Sequence, residues 1–408
     1  MPASTTETFT GAANVAANPL DASQVEAEAL VPVIRAWVRA VNAGFLRLGS
    51  SAPTCAGGSI ALFLGVCATG CSDPGASRSS PTDAGLRSDV HIDAPDSALP
   101  DANDGASAPT LLSETGLFSS VATRALADGV RPFAPRFALW SDGATKERWL
   151  YLPDSTRIDT MDMDHWQYPV GTKAWKEFRV AGVPVETRLL EKTAPGEWRA
   201  TAYHWRADGS DAEAVPAGVP NASGTEHDIP AETDCRSCHA HIGDVLLGVS
   251  AIQLASATPL SLDQLQTEGL LTSASAPILN LPGSERTQAA LGYLHANCGN
   301  CHNPRSKLWA TLNLRFWLSA SGVGSVAETA TYRSAVAIEP AVPWGGATAR
   351  ITPGLPERSA VFLRMQSRGN RLGGIQLDMP PLASEKPDPD ALELVRDFIV
   401  SLAADAGS

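Results

Sequence analysis

Two five-residue strings carry chemistry in this sequence: Cys235-Arg236-Ser237-Cys238-His239 and Cys298-Gly299-Asn300-Cys301-His302. In each, two thiols stand where they can add across two vinyl groups as thioethers, and the next residue brings an imidazole to a central metal. That is the attachment pattern of a c-type haem. Two strings imply two covalently bound haem c groups, held through Cys235, Cys238, Cys298 and Cys301. His239 and His302 are the expected proximal ligands of iron.

A Cys-x-x-Cys pair also serves redox dithiols and zinc sites. Residues 239–297 separate the two pairs, a gap far longer than the roughly 15–20 residues of a compact zinc ribbon. Neither alternative accounts for a histidine directly after both pairs, in a chain that holds only eight histidines.

The elements that must position these strings begin well into the chain. With 408 residues, one or two globular domains are expected, with a sizeable core. Of seven cysteines, four lie in the haem strings and Cys55, Cys67 and Cys71 share one short stretch, which leaves no disulfide framework for the body. Residues 57–71 read as a signal h-region and lipobox. Gly57 to Gly70 is strongly apolar but too short for a comfortable membrane span. Arg35, Arg39 and Arg47 precede it, with no Asp or Glu between Glu28 and Asp73. Ala68-Thr69-Gly70-Cys71 has the small residues and cysteine of a bacterial lipobox, so Cys71 is the expected lipidation site; a simple secretory signal and a short buried helix are the alternatives.

Signal peptides are N-terminal, and this one lies about 55 residues in. Residues 1–56 are therefore read as a mis-assigned start or an n-region, with the true translation start downstream of Met1, although Gln24 to Leu48 has helical spacing. Residues 72–110 read as a disordered Asp/Ala/Pro/Ser linker. Between Ser72 and Thr110 there are seven Asp, two Arg and no aromatic residue, too little apolar surface to offset chain entropy. Such a tether self-repels and extends. The chain carries a net charge of −13, and no basic run recommends nucleic acid as a partner.

The expected fold class is α+β, a β-rich unit over 111–225 followed by a mainly helical, cytochrome c-like di-haem region over 226–404. Val183, Val185, Thr187 and Leu189 alternate with polar residues, and after Pro195-Gly196 the run Trp198 to Trp205 alternates again, as in a hairpin. Trp166, Tyr168 and Val170 offer a further strand. Trp140, Trp149, Trp166, Trp175, Trp198 and Trp205 are read as aromatic core. Ser284 is placed to cap a helix running toward Cys298. Asp390 and Glu393 form a capping-box pattern before a helix whose Leu394, Val395, Phe398, Ile399 and Leu402 share a face.

A helix, a Cys-x-x-Cys-His string, a long loop and a C-terminal helix follow the order of a cytochrome c domain, so the loop should supply a distal ligand. Met379, in Asp378-Met-Pro-Pro-Leu382, is the expected distal iron ligand of the second haem. Thioether sulfur suits haem iron, and His/Met ligation raises the potential. For the first haem, Met161, Met163, His165, His204, His227 and Met365 all stay open, with Met365 favoured as core. His241 follows His239 too closely to reach the opposite face of the same ring, and His295 is read as a helix-face residue beside the second haem.

Together with Leu139-Trp-Ser-Asp-Gly143, Tyr168-Pro-Val-Gly-Thr172, Val185-Glu-Thr-Arg-Leu-Leu190 and Tyr293-Leu-His-Ala-Asn-Cys-Gly-Asn-Cys-His-Asn-Pro304, these strings resemble a family of bacterial di-haem c-type cytochromes with a tryptophan-rich β module before the haem region. The resemblance runs from about 115 to 402. It implies an exported electron carrier. With the lipobox at Cys71, the expected location is the periplasm or the outer membrane or cell surface, with redox proteins as partners and the membrane touched through a lipid anchor only. The resemblance also implies His239 and His302 as proximal ligands and Met379 as distal ligand. It implies no particular substrate. The expected function is single-electron transfer; the alternatives are a di-haem peroxidase-like, haem-dependent oxidoreductase and an electron-accepting subunit of a larger dehydrogenase.

Overall fold

The computed structural model describes residues 107–405, apart from 240, 243, 245, 256–258, 274–279, 307–311, 373–374 and 382–383, and apart from some side chains, that of Cys238 among them. The signal segment, Cys71 and residues 72–106 of the tether lie outside the described residues.

The described chain is α+β. Short strands β1 (Phe118–Ser120) and β2 (Ala125–Leu126) pair with each other. A six-stranded antiparallel sheet follows in simple meander order: β3 (Arg131–Pro132), β4 (Thr145–Tyr151), β5 (Lys173–Val180), β6 (Val183–Ala194), β7 (Glu197–Trp205) and β8 (Ala212–Ala214). β6 and β7 form the hairpin that their alternation predicts. Gly196 takes φ 77° at its turn, a conformation that a residue without Cβ adopts at no steric cost.

The helices come after the sheet. They are α1 (Glu232–His239), α2 (Ala251–Leu254), α3 (Leu262–Thr267), α4 (Glu285–Asn297), α5 (Ala330–Ala335), α6 (Ala360–Met365) and α7 (Pro389–Asp405). α7 packs on α4 and α6, and α1 packs on β7. Ser284 caps α4, its hydroxyl accepting the Thr287 N–H at 3.2 Å. At α7 the cap lies two residues earlier than the capping-box pattern suggests: Asp388 accepts the Ala391 N–H at 3.1 Å, with Pro389 at the first helical position. A proline there forfeits no helical hydrogen bond. Val395, Phe398, Ile399 and Leu402 are buried along one face, as their spacing requires.

Trp166 to Val170 form no ladder strand. Trp166 and Tyr168 are buried, but Val170 is exposed and only an isolated bridge joins Asp159 to Gln167. The side chains are instead held by tertiary contacts, Tyr168 donating its hydroxyl to the Val249 carbonyl at 2.5 Å.

The sheet buries both faces. Trp149, Trp175, Leu189, Tyr203 and Trp205 pack under Leu112, Leu117 and Phe118 on one side. On the other, Leu150, Ala174 and Trp198 join Leu254, Leu265, Leu291, Leu294, Phe362 and Phe398 in one continuous core. That core crosses residue 225, so the β-rich and helical segments share their hydrophobic interior. Burial of each large apolar side chain in it stabilises by about 1.5–3 kcal/mol.

Candidate functional site

The second string is built around a helix end. Cys298 is the C-cap residue of α4, and its N–H donates to the Leu294 carbonyl at 2.9 Å. The chain then turns tightly: the N–H groups of Cys301 and His302 both donate to the Cys298 carbonyl, at 3.1 and 2.8 Å. Gly299 is required here, because a Cβ at this position would stand 2.5 Å from the His295 carbonyl oxygen. Asn303 locks the turn from within. Its amide donates to the carbonyls of Gly299 and Asn300 at 3.0 and 2.8 Å, and its oxygen accepts the N–H groups of Arg305 and Ser306.

His302 is 8% exposed and packs edge-on against Phe316, with ring centroids 5.6 Å apart. Its Nδ1 is buried with no hydrogen-bond partner among the described residues. Burial, then Arg350 and His241, push the imidazole down to about 4, so it is neutral and its nitrogen lone pair is available to a metal. The Cys298 thiol is pushed up to about 12 by burial, with Cys301 beside it adding to the effect. A redox-active dithiol shows the opposite shift, since its thiolate must form near neutral pH. An orphaned buried imidazole nitrogen next to a Cys298 thiol held protonated, with the Cys301 thiol beside it, fits thioether attachment of a c-type haem.

The loop that carries Met379 enters this neighbourhood through Arg364. The Met379 N–H donates to the Arg364 carbonyl at 3.0 Å, and the Arg364 guanidinium donates to the Leu377 carbonyl at 2.8 Å. Met379 itself is half-buried. The far side of the loop is clamped by the Leu139-Trp-Ser-Asp-Gly143 string, whose role sequence reasoning left blank. The Asp142 carboxylate accepts the N–H groups of Glu385 and Lys386, each at 2.9 Å, and the Ser384 hydroxyl at 3.1 Å. The Trp140 indole donates to the Lys386 carbonyl at 2.8 Å. Asn297, directly before Cys298, accepts the Trp140 N–H at 2.7 Å and donates to the Ala138 carbonyl at 3.1 Å. The string therefore ties the methionine loop to the helix end that bears the second motif.

The first string forms the end of α1, where Cys235 and His239 are both half-buried. Both line a cavity of about 610 Å³ between α1 and the sheet, within the range of small-molecule and cofactor sites. The cavity is also lined by Ala296 and Asn300, so it adjoins the second motif. His241 extends toward that motif as well: its Nδ1 is 3.5 Å from the Ser306 hydroxyl, and it contributes to the depressed basicity of His302. The sequence order placed His241 beside His239 and concealed this reach.

The six residues left open as the distal ligand of an expected first haem separate clearly. Met161 is 88% exposed, Met365 is core and Met163 packs against the same core. His165 donates from Nδ1 to the Asp162 carboxylate at 3.0 Å and stacks on Trp317. His204 bonds Ser223 at 2.9 Å. Of the six, His227 alone lines the cavity that holds Cys235 and His239. Its Nε2 is 2.7 Å from Glu186 Oε2, and its ring lies 5.1 Å from that of Phe178. Burial raises the Glu186 carboxyl, but Arg188 and the His227 hydrogen bond outweigh it and hold the group below its ordinary range.

His295 faces away from the cavity, 3% exposed, with Nδ1 accepting the Leu318 N–H at 3.1 Å and the ring edge-on to Trp317. Among the described residues no three His, Cys, Asp or Glu side chains converge as a metal-ligand set. Haem iron asks for one or two protein ligands, not three. No described helix is long and apolar enough to cross a membrane.

Comparison with protein-family models, curated proteins and solved structures finds no match to this chain.

Proposed function

We propose that this chain is an exported di-haem c-type cytochrome that passes single electrons between redox partners, anchored to a membrane surface by lipid at Cys71. The observation that carries the reading is the second motif: two half-buried thiols beside a buried imidazole with an orphaned nitrogen, held in a fixed turn by Asn303 and Gly299. Cys298 and Cys301 would hold one haem with His302 and Met379 as iron ligands, and Cys235, Cys238 and His239 the other. Bound there, the haem iron supplies one-electron exchange at a potential set by its ligands and surroundings.

The protein's own contribution is positional and dielectric. The helical core packs against the second motif, and burial keeps His302 neutral and the Cys298 thiol protonated until attachment. The Asp142 clamp holds the methionine loop against α4. Ala296 and Asn300 in the wall of the first motif's cavity bring the two motifs side by side, which suits electron relay between two centres.

Expression with a c-type maturation system and a pyridine haemochrome assay test the proposal. Two haems per chain are expected, falling to one in Cys298→Ala/Cys301→Ala. A soluble, folded chain without covalent haem would overturn it.

His227 favours a second reading, a haem-dependent oxidoreductase. Its Nε2 is engaged by Glu186, so a His227 that stays on Glu186 leaves the first iron open and an acid–base pair beside it. Cyanide or peroxide that perturbs one haem spectrum would select this reading; two low-spin haems indifferent to both would select the carrier.

A further inference from the structure

Three cations stand directly opposite one another across adjacent strands. Arg148 on β4 is the register partner of Lys176 on β5, and Lys176 is the partner of Arg188 on β6. Side chains so paired have Cβ atoms roughly 4.5–5.5 Å apart, and like charges in that arrangement destabilise a sheet. All three line the cavity that also holds Cys235, His239 and His227.

Only Arg188 has a carboxylate, Glu186, which its Nη2 reaches at 2.9 Å. Among the described residues neither Arg148 nor Lys176 makes an ion pair, although Lys176 lies 5.1 Å from the Phe178 ring centroid. Carboxylates are not lacking in the cavity wall. Asp142 holds the 384–386 backbone, Asp228 accepts the Asn221 N–H at 2.7 Å, and Asp234 accepts the Ala231 N–H at 3.1 Å. Glu226 pairs with Lys386, and Glu385 is exposed. The fold thus spends its nearby acids elsewhere and keeps a row of cations facing the cavity.

Burial lowers Lys176 well below its ordinary value and Arg148 to about 10, so the row costs stability as it stands. A bound anion would offset that cost.

We infer that the Arg148–Lys176–Arg188 row is the seat of the propionate carboxylates of the haem attached at Cys235, which makes the sheet face a wall of the haem site. The inference rests on the di-haem reading and adds the residues that receive the acidic edge of the cofactor. Arg offers a planar fork suited to carboxylate and Lys a point charge, and the three positive charges, less the one that Glu186 offsets at Arg188, leave two to match a pair of carboxylates.

The test is redox titration of the holo-protein and of Arg148→Gln and Lys176→Gln, with Glu147→Gln, an exposed residue of the opposite strand face, as control. Removing a unit charge about 10 Å from a redox centre, at an effective dielectric of about 20, shifts its equilibrium roughly tenfold. Tenfold is 59 mV for a one-electron couple. Each cation removal should lower one haem potential by this order, leave the other unchanged and leave two haems attached; Lys176→Arg should restore the native value, and the control should move neither.

A di-haem protein whose potentials ignore both substitutions overturns this inference alone. A native chain with no covalent haem overturns it together with the proposed function. Should a glutamine variant fail to fold, infrared redox difference spectra of the native protein with haem propionates isotopically labelled decide the matter: propionate bands at frequencies of solvated carboxylate would overturn the seat.

Discussion

Replacing Asp142 by alanine removes a clamp that spans more than two hundred residues of sequence and bonds three donors at 2.9, 2.9 and 3.1 Å. Asp142 is half-buried and the 384–386 segment borders solvent, so the freed N–H groups find water and each bond is worth about 1 kcal/mol. Their joint loss should cost about 3 kcal/mol, which is more than a hundredfold in a local opening equilibrium. Amide hydrogen exchange reads this directly. Exchange of the Glu385 and Lys386 amides should accelerate by about that factor, and the Met379 amide, bonded to the Arg364 carbonyl, should follow in part because the same loop carries it. In the haem-loaded protein the sulfur-to-iron charge-transfer band should weaken. Asp142→Asn keeps one acceptor oxygen and should fall between. If Asp142→Ala leaves Glu385, Lys386 and Met379 protected as in the native chain, the clamp does not position the methionine loop and the reasoning fails.

Acid stability turns on His295 and His302, both buried neutral with their basicity pushed down to about 4, chiefly by burial. Unfolded histidine binds its proton near 6.5, so between about 6.5 and 4 the unfolded chain holds more protons and stability falls as pH drops, by about 3 kcal/mol for each of the two; denaturant titration of native and His295→Gln chains across that window should show the native slope about halved in the variant, His302 supplying the rest. Asn303→Ala forfeits two donated and two accepted bonds in the turn behind His302. A loss of about 2–4 kcal/mol is expected by denaturant unfolding, with reduced haem loading at the second motif. Gly299→Ala drives a Cβ to 2.5 Å from a backbone oxygen that is itself held in α4, so the turn must open; haem staining should drop to one haem per chain, and retention of both would refute the steric argument.

What could be read from the sequence was local. The reading of the Cys-x-x-Cys-His strings as haem sites is local too, because thioether attachment asks only for a five-residue spacing. The β6–β7 hairpin follows from alternation about Pro195-Gly196, the α4 cap from Ser284, and the buried α7 stripe from helical period. Short-range rules misled where tertiary packing took over. Trp166 and Tyr168 alternate like a strand yet are buried without a ladder, Tyr168 held instead by hydrogen bonds to Asp244 and the Val249 carbonyl, and the α7 cap moved to Asp388 because Pro389 suits the first helical position.

Tertiary structure alone decided the rest. Arg148, Lys176 and Arg188 are ordinary polar positions in three separate strands until sheet register lines them up on one face; basic residues at inward parity were the available signal. His227 stood level with five other residues until the cavity around Cys235 and His239 selected it. His241 was set aside for its closeness to His239, and the fold turns it toward the second motif. Trp140, Asp142 and Asn297 act between segments far apart in the chain. A residue's spacing along the chain encodes its helix face, strand parity or turn, but which distant group meets it depends on register and packing, and those exist only once the chain has closed on itself.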